Sequence, residues 1–112
     1  MPTKNFNAFE KQIQSAFIDK TYADGLALAD QEIENYPDHK ELISYWQMCL
    51  AARMENPDRT NLVLDDMLQQ GVWYGEALLL KSPSLAPLEN HTEYRRLVEI
   101  SRKMQANDPI DS

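Results

Sequence analysis

The sequence has one cysteine, three glycines, few basic residues and no long apolar run in its 112 positions. Cys49 alone cannot close an internal disulfide, which excludes a disulfide-stapled scaffold and leads us to expect a reducing, cytoplasmic setting. The longest aliphatic run, Ala77-Leu78-Leu79-Leu80, falls far short of the ~20 residues a membrane span requires. Met1-Pro2-Thr3-Lys4-Asn5 offers no apolar core for a signal peptide. Lys and Arg number 11 against 18 acidic residues, a net charge of -7. Phosphate binding needs clustered cations, so neither nucleic acid nor an anionic membrane is an expected partner. Motifs of catalysis are missing too. There is no Gly-x-Ser-x-Gly elbow, no His-Glu-x-x-His, no cysteine pair and no glycine-rich phosphate loop. The expectation is a protein that is not an enzyme and needs no metal or cofactor.

What is present is ordinary globular composition, 43% hydrophobic and 26% charged. A chain of this length makes one small domain and buries roughly two-thirds of its unfolded surface. We place a single helical domain at 1–106 and a polar tail or linker at 107–112. No segment alternates apolar and polar residues for the length of a strand, whereas helical spacing recurs. Phe6, Phe9, Ile13, Ala16 and Phe17 share a face, predicting a helix over about 5–19. Thr21-Tyr22-Ala23-Asp24 reads as a capping box opening a second helix, which Pro37 ends near Tyr36. A third starts at Asp38 and carries Leu42, Tyr45, Trp46, Cys49 and Leu50 on one side. Asn56 caps a fourth, Pro57 fits its first position, Leu62, Leu64, Met67 and Leu68 form its inner face, and Gly71 closes it. An aromatic corner, Trp73-Tyr74-Gly75, precedes a short helix over 76–81 and a proline-punctuated turn. Asn90-His91-Thr92-Glu93 then caps a last helix with Tyr94, Leu97, Val98, Ser101 and Met104 inward.

These helices pair into hairpins that begin roughly 32 to 34 residues apart, a solenoid-like period. The first unit resembles a tetratricopeptide repeat. Phe9 stands at the family's first aromatic position, Tyr22 and Gly25 at the helix crossing, Ala29 at a further core position, and Pro37 at the close. Ile13 replaces the family's mid-helix glycine. In a looser second unit Trp46, Leu50, Thr60 and Leu64 can be placed, and Gly71 stands for the terminal proline. The stretch from Gly71 through Trp73, Leu78, Pro83-Ser84-Leu85-Ala86-Pro87-Leu88 and Glu93-Tyr94-Arg95-Arg96-Leu97 is similar to the closing half-repeat of many bacterial tetratricopeptide proteins. The whole order also resembles the helical region preceding the catalytic domain in some bacterial α/β-hydrolases. The resemblance implies an all-α, right-handed superhelix of two antiparallel hairpins plus a short helix and a C-terminal capping helix. It implies a module for protein–protein interaction or, alternatively, an accessory domain of, or partner to, such a hydrolase. An apolar end left uncapped would drive homodimerisation.

Carrying the family's concave-face positions across gives Asn7, Glu10, Gln14 and Phe17 from the first unit. The second unit offers Glu41, Ser44 and Met48, to within one residue. No basic clamp for acidic peptide tails is among them. Charge supplies a second candidate. Between Asp19 and Glu41 stand seven acids (Asp19, Asp24, Asp30, Glu32, Glu34, Asp38 and Glu41) and two bases (Lys20 and Lys40). Asp30 and Glu34, four apart, share a helix face and form a candidate acidic patch for a basic segment, with a solvated outer face as the plainer reading. A third candidate is a small-molecule space between the last helix and Trp73, unless Leu85, Leu88 and Tyr94 fill it. His39, His91 and Cys49 read as structural: the histidines lie in helix starts, and the thiol lies on an apolar face.

Overall fold

The computed structural model describes residues 5–108. Six α-helices follow in order: α1 (Phe6–Asp19), α2 (Tyr22–Glu32), α3 (Lys40–Arg53), α4 (Pro57–Gln69), α5 (Glu76–Leu80) and α6 (Thr92–Ala106). Short 3₁₀ turns stand at Ile33–Asn35, Pro37–His39 and Ala86–Leu88. No strand occurs among the described residues. The first helices of successive pairs begin at Phe6, Lys40 and Glu76, in steps of 34 and 36 residues. The second helices begin at Tyr22, Pro57 and Thr92, in steps of 35 and 35. So α5 and α6 occupy the places of a third pair. α1 packs on α2, α2 on α3, α3 on α4, α4 on α6, and α5 on α6. The result is an elongated body of 43 × 31 × 19 Å.

Local chemistry explains most of the helix ends. Asn5 caps α1 by accepting from the Ala8 N–H at 3.3 Å. Asn56 does the same for α4, accepting from the Arg59 N–H at 3.2 Å, with Pro57 in the first turn where its missing N–H costs nothing. Gly71 takes φ +88°, and the Val72 N–H returns to the Met67 carbonyl, closing α4. Two left-handed residues that are not glycine, Lys20 (φ 61°) and Glu55 (φ 58°), end α1 and turn the chain from α3 to α4. Three expected start signals are not used. Thr21 makes no side-chain cap bond, and its N–H instead donates to the Ala16 carbonyl at 2.9 Å. Asp38 lies inside a 3₁₀ turn, so α3 starts two residues later with His39 at the cap position. His91 holds that position in α6, again without a side-chain bond.

Two clusters form the core. Phe9, Ile13, Leu26, Ala29, Tyr36, Ile43, Leu50 and Ala51 join α1, α2 and α3. Cys49, Leu64, Met67, Tyr74, Leu79, Leu85, Tyr94 and Leu97 belong to the other, around α4, α5 and α6. Phe17 packs against both. α1 and α2 cross where Gly25 faces Ala16: a Cβ at Gly25 would lie 2.7 Å from Ala16 Cβ and 3.1 Å from Leu50 Cδ2. α3, between the clusters, buries Ile43, Ser44, Gln47, Met48, Cys49, Leu50 and Ala51. The apolar stripe expected through Leu42 is therefore rotated: Ile43 is inside and Leu42 outside. Leu62 of α4 is likewise exposed, and Val63 takes the inner position.

Candidate functional site

The corner at Trp73 is fixed from several sides. The Tyr74 N–H donates to Ser101 Oγ at 2.9 Å, and the Ser101 hydroxyl donates back to the Tyr74 carbonyl at 2.8 Å. One serine of α6 thus satisfies both backbone polar groups of the buried Tyr74, which would otherwise be costly to leave unpaired. The Tyr74 hydroxyl donates to the Glu41 carbonyl at 2.8 Å, tying the corner to the start of α3. The Tyr45 hydroxyl donates to the Leu78 carbonyl at 2.8 Å, tying α3 to α5. The Trp73 Nε1–H donates to Asp108 Oδ2 at 2.8 Å, just beyond the end of α6. Burial pushes the Tyr45 phenol up to about 12. Burial, then the Glu41 charge, pushes Tyr74 up as well. Both hydroxyls therefore remain protonated donors at neutral pH.

These ties leave a groove of about 610 Å³ between the start of α3, the corner and α5. Leu42, Tyr45, Val72, Trp73 and Leu78 line it, with Glu41 and Asp108 as its charged members and no Lys or Arg among its lining. Leu42 is 40% exposed and Leu78 51%. Past Trp73 the groove meets an open depression bordered by Ile100, Lys103 and Met104. Past Leu42 and Val72 it meets another, bordered by Pro37, His39 and Lys40. The interior beside α6 is packed: Leu85 and Tyr94 are fully buried and Leu88 packs against the cluster they belong to. The small-molecule space expected there is filled, and what remains beside Trp73 is open surface.

The residues expected on the concave face separate. Glu41 lines the groove. Ser44 and Met48 are buried, at 2% and 0% exposure, and the Ser44 hydroxyl donates to Met67 Sδ at 3.4 Å. They cannot form the expected binding surface, and the α3 residues that do reach the groove are Leu42 and Tyr45. On α1, Asn7 and Gln14 are exposed, Glu10 and Phe17 half-buried, and Phe17 meets Tyr22 edge-on at 6.2 Å. None of the four lines the groove. The two acids of the candidate patch also differ. Asp30 Oδ1 accepts from Arg59 Nη2 at 2.6 Å and from Gln47 Nε2 at 2.8 Å, so it joins α2 to α3 and α4. Glu34 is exposed in a depression that also holds Lys40, Arg59 and Asp66.

The His39 ring and the Cys49 thiol pack within the structure. The His39 ring stacks on Phe6, with centroids 3.7 Å apart. Cys49 is buried, and burial pushes its thiol up, away from a reactive thiolate. No group of three or more His, Cys, Asp or Glu placed to hold a metal ion occurs among the described residues. Nor is any helix among them long and apolar enough to cross a membrane.

Sequence reasoning missed that Leu42, Tyr45, Leu78 and Asp108 line one groove beside Trp73. The signal was a large apolar residue left over once the inner face of its helix is set, and that face was misassigned by one residue in α3. No family model matches the chain, and neither a curated protein nor a solved structure matches it.

Proposed function

We propose that this chain is a non-catalytic helical-repeat module, tetratricopeptide-like in its stacking, that binds a short segment of a partner protein in the groove beside Trp73. The observation that carries this reading is that two exposed leucines, Leu42 and Leu78, line one groove together with Tyr45 and Trp73. Single exposed leucines are ordinary, but apolar and aromatic side chains gathered in one groove mark interaction sites. The aromatic tips are already tied within the chain, so the groove is held in shape before a partner arrives, which lowers the ordering cost of binding. The steps of 34 to 36 residues between helix starts and the tight Gly25–Ala16 crossing support the tetratricopeptide-like part.

Selection of a phage-displayed random-peptide library on the full chain tests this reading. Amide and indole shifts on adding a selected peptide should concentrate at Leu42, Tyr45, Trp73 and Leu78. Leu42→Asp, at an exposed position, should keep the circular dichroism of the parent and weaken binding about tenfold or more. Peptides that map to α1 or to the Asp30–Glu34 face, or an absence of selected peptides, would overturn it.

A further inference from the structure

Resting on the groove just proposed, we infer that the segment it takes binds as an extended strand beside residues 72–75, pairing with the Trp73 backbone through apolar anchors two positions apart. The first argument is the backbone of the corner. Neither turn nor bend interrupts residues 72–75. Tyr74 brings its N–H and its carbonyl to one hydroxyl, that of Ser101, so both point to the same side, as in a strand. Gly75 continues extended, at φ -60° and ψ 146°. In an extended chain the neighbouring residue's pair points the opposite way. The Trp73 N–H and carbonyl are therefore turned from α6. Neither they nor the Gly75 N–H have a hydrogen-bond partner among the described residues. Residues 71–75 together line the groove. An unpaired strand edge in a groove wall is a template for a second extended chain, whereas a bound helix would satisfy its own backbone and leave these groups unpaired.

The second argument is what the groove offers besides that edge. Leu42 and Tyr45 of α3 and Leu78 of α5 supply apolar contact. The Tyr45 hydroxyl and the Trp73 indole N–H already donate within the chain, so polar recognition falls to the backbone. Side chains of a strand alternate between faces, so those at i and i+2 enter the groove together and the one between points away. Charge is mixed where the groove opens out. Asp38, Lys40 and Glu41 border one end, and Lys103 and Asp108 the other. No run of one sign is matched along the whole length, and the complementary segment is neutral overall.

The same library selection reads this out in the peptides that map to the groove. The expected consensus has Leu, Ile, Val or Met at i and i+2, with no acidic or basic run. Methylating the backbone nitrogens of the best peptide one at a time removes single N–H donors and keeps every side chain. Methylation at the position paired with the Trp73 carbonyl should weaken binding about tenfold or more. Exchange of the Trp73 amide hydrogen should slow about tenfold or more in the complex. Groove-mapped peptides that bind as helices with anchors three or four apart, or that tolerate methylation at every nitrogen, would overturn this inference while leaving the binding groove standing. An absence of groove-mapped peptides would remove both.

Discussion

The first and third helix pairs close themselves by different chemistry. In the first, α1 and α2 meet through small residues, and the end of the pair is sealed by rings. Phe6 stacks on His39 at 3.7 Å and on Trp46 at 5.9 Å, and Phe9 stacks on Tyr36 at 5.3 Å. In the third pair the first helix, α5, has only five residues, too short to hold itself together by its own backbone bonds. There the seal is made of side chains donating to or accepting from backbone. Tyr94 reaches the Leu79 carbonyl, Tyr45 reaches Leu78, Tyr74 reaches Glu41, and Ser101 serves both ends of Tyr74. The first seal is ring packed on ring, whereas in the third the tyrosine rings are anchored by hydroxyls that reach backbone. Leu42 and Leu78, both exposed, line one groove beside the third pair.

Truncating one ring in each seal has the largest expected effect. Phe9→Ala and Tyr94→Ala should each cost about 3–5 kcal/mol in urea unfolding, because both side chains are buried. The two regions should part in a milder substitution. Tyr94→Phe keeps the ring but strips the Leu79 carbonyl of its donor, and should cost about 1–2 kcal/mol. A neutral Tyr94→Phe would break the comparison, since the third pair would then be held by packing alone.

The crossing in the first pair offers the next effect. Gly25→Ala adds a methyl 2.7 Å from Ala16 Cβ, which is backbone-anchored and cannot swing away. Overpacking should outweigh the gain in helix propensity, for a net loss of about 1–2 kcal/mol. Ala16→Gly in the same chain should restore part of the loss. Failure of that rescue would show that the strain lies elsewhere, with Leu50 Cδ2 the nearest alternative at 3.1 Å.

Alkaline pH sharpens the contrast from the other end. Burial raises the phenols of Tyr74 and Tyr94 above their ordinary value of 10.0. A group whose folded value is raised contributes fully below its unfolded value, and that contribution is lost as pH rises beyond it. The urea midpoint should therefore fall above pH 10, and fall less steeply in a Tyr74→Phe, Tyr94→Phe double variant. Equal slopes for parent and variant would remove the phenols from the seal.

Local signals carried the fold well where one residue acts on its own neighbours. Asn56-Pro57 and Gly71 gave both ends of α4, and the predicted inward face of α6, from Tyr94 to Met104, is buried or half-buried throughout. They failed where a helix is covered on several sides. α3 is buried over most of its circumference, so its apolar residues trace no single stripe, and Leu42 could not be told from Ile43. The groove was less legible still. Its ties join residues 33 and 35 positions apart, Tyr45 to Leu78 and Trp73 to Asp108, and such pairs leave no periodic trace. The helical-repeat analogy names a helix face only to within one residue, and Ser44 and Met48, which it places on the surface, are buried.

The smallest expected effect concerns the acidic stretch that links the first pair to the second. Asp30 and Glu34 are equivalent in sequence, four apart on one predicted face, but only Asp30 joins helices, through Arg59 and Gln47. Both members of the Asp30–Arg59 pair are partly open to water, with side-chain exposures of 38% and 30%. Screening therefore holds the value of the pair to about 0.2–1 kcal/mol. Asp30→Asn should lower the urea midpoint by that small amount, and 0.5 M salt should shrink the difference. Glu34→Gln should leave the midpoint unchanged. Neither should alter binding at Trp73, on the far side of α3. If Glu34→Gln costs as much as Asp30→Asn, stability responds to the overall charge of the stretch rather than to a bond between helices, and the second pair is joined to the first by packing alone.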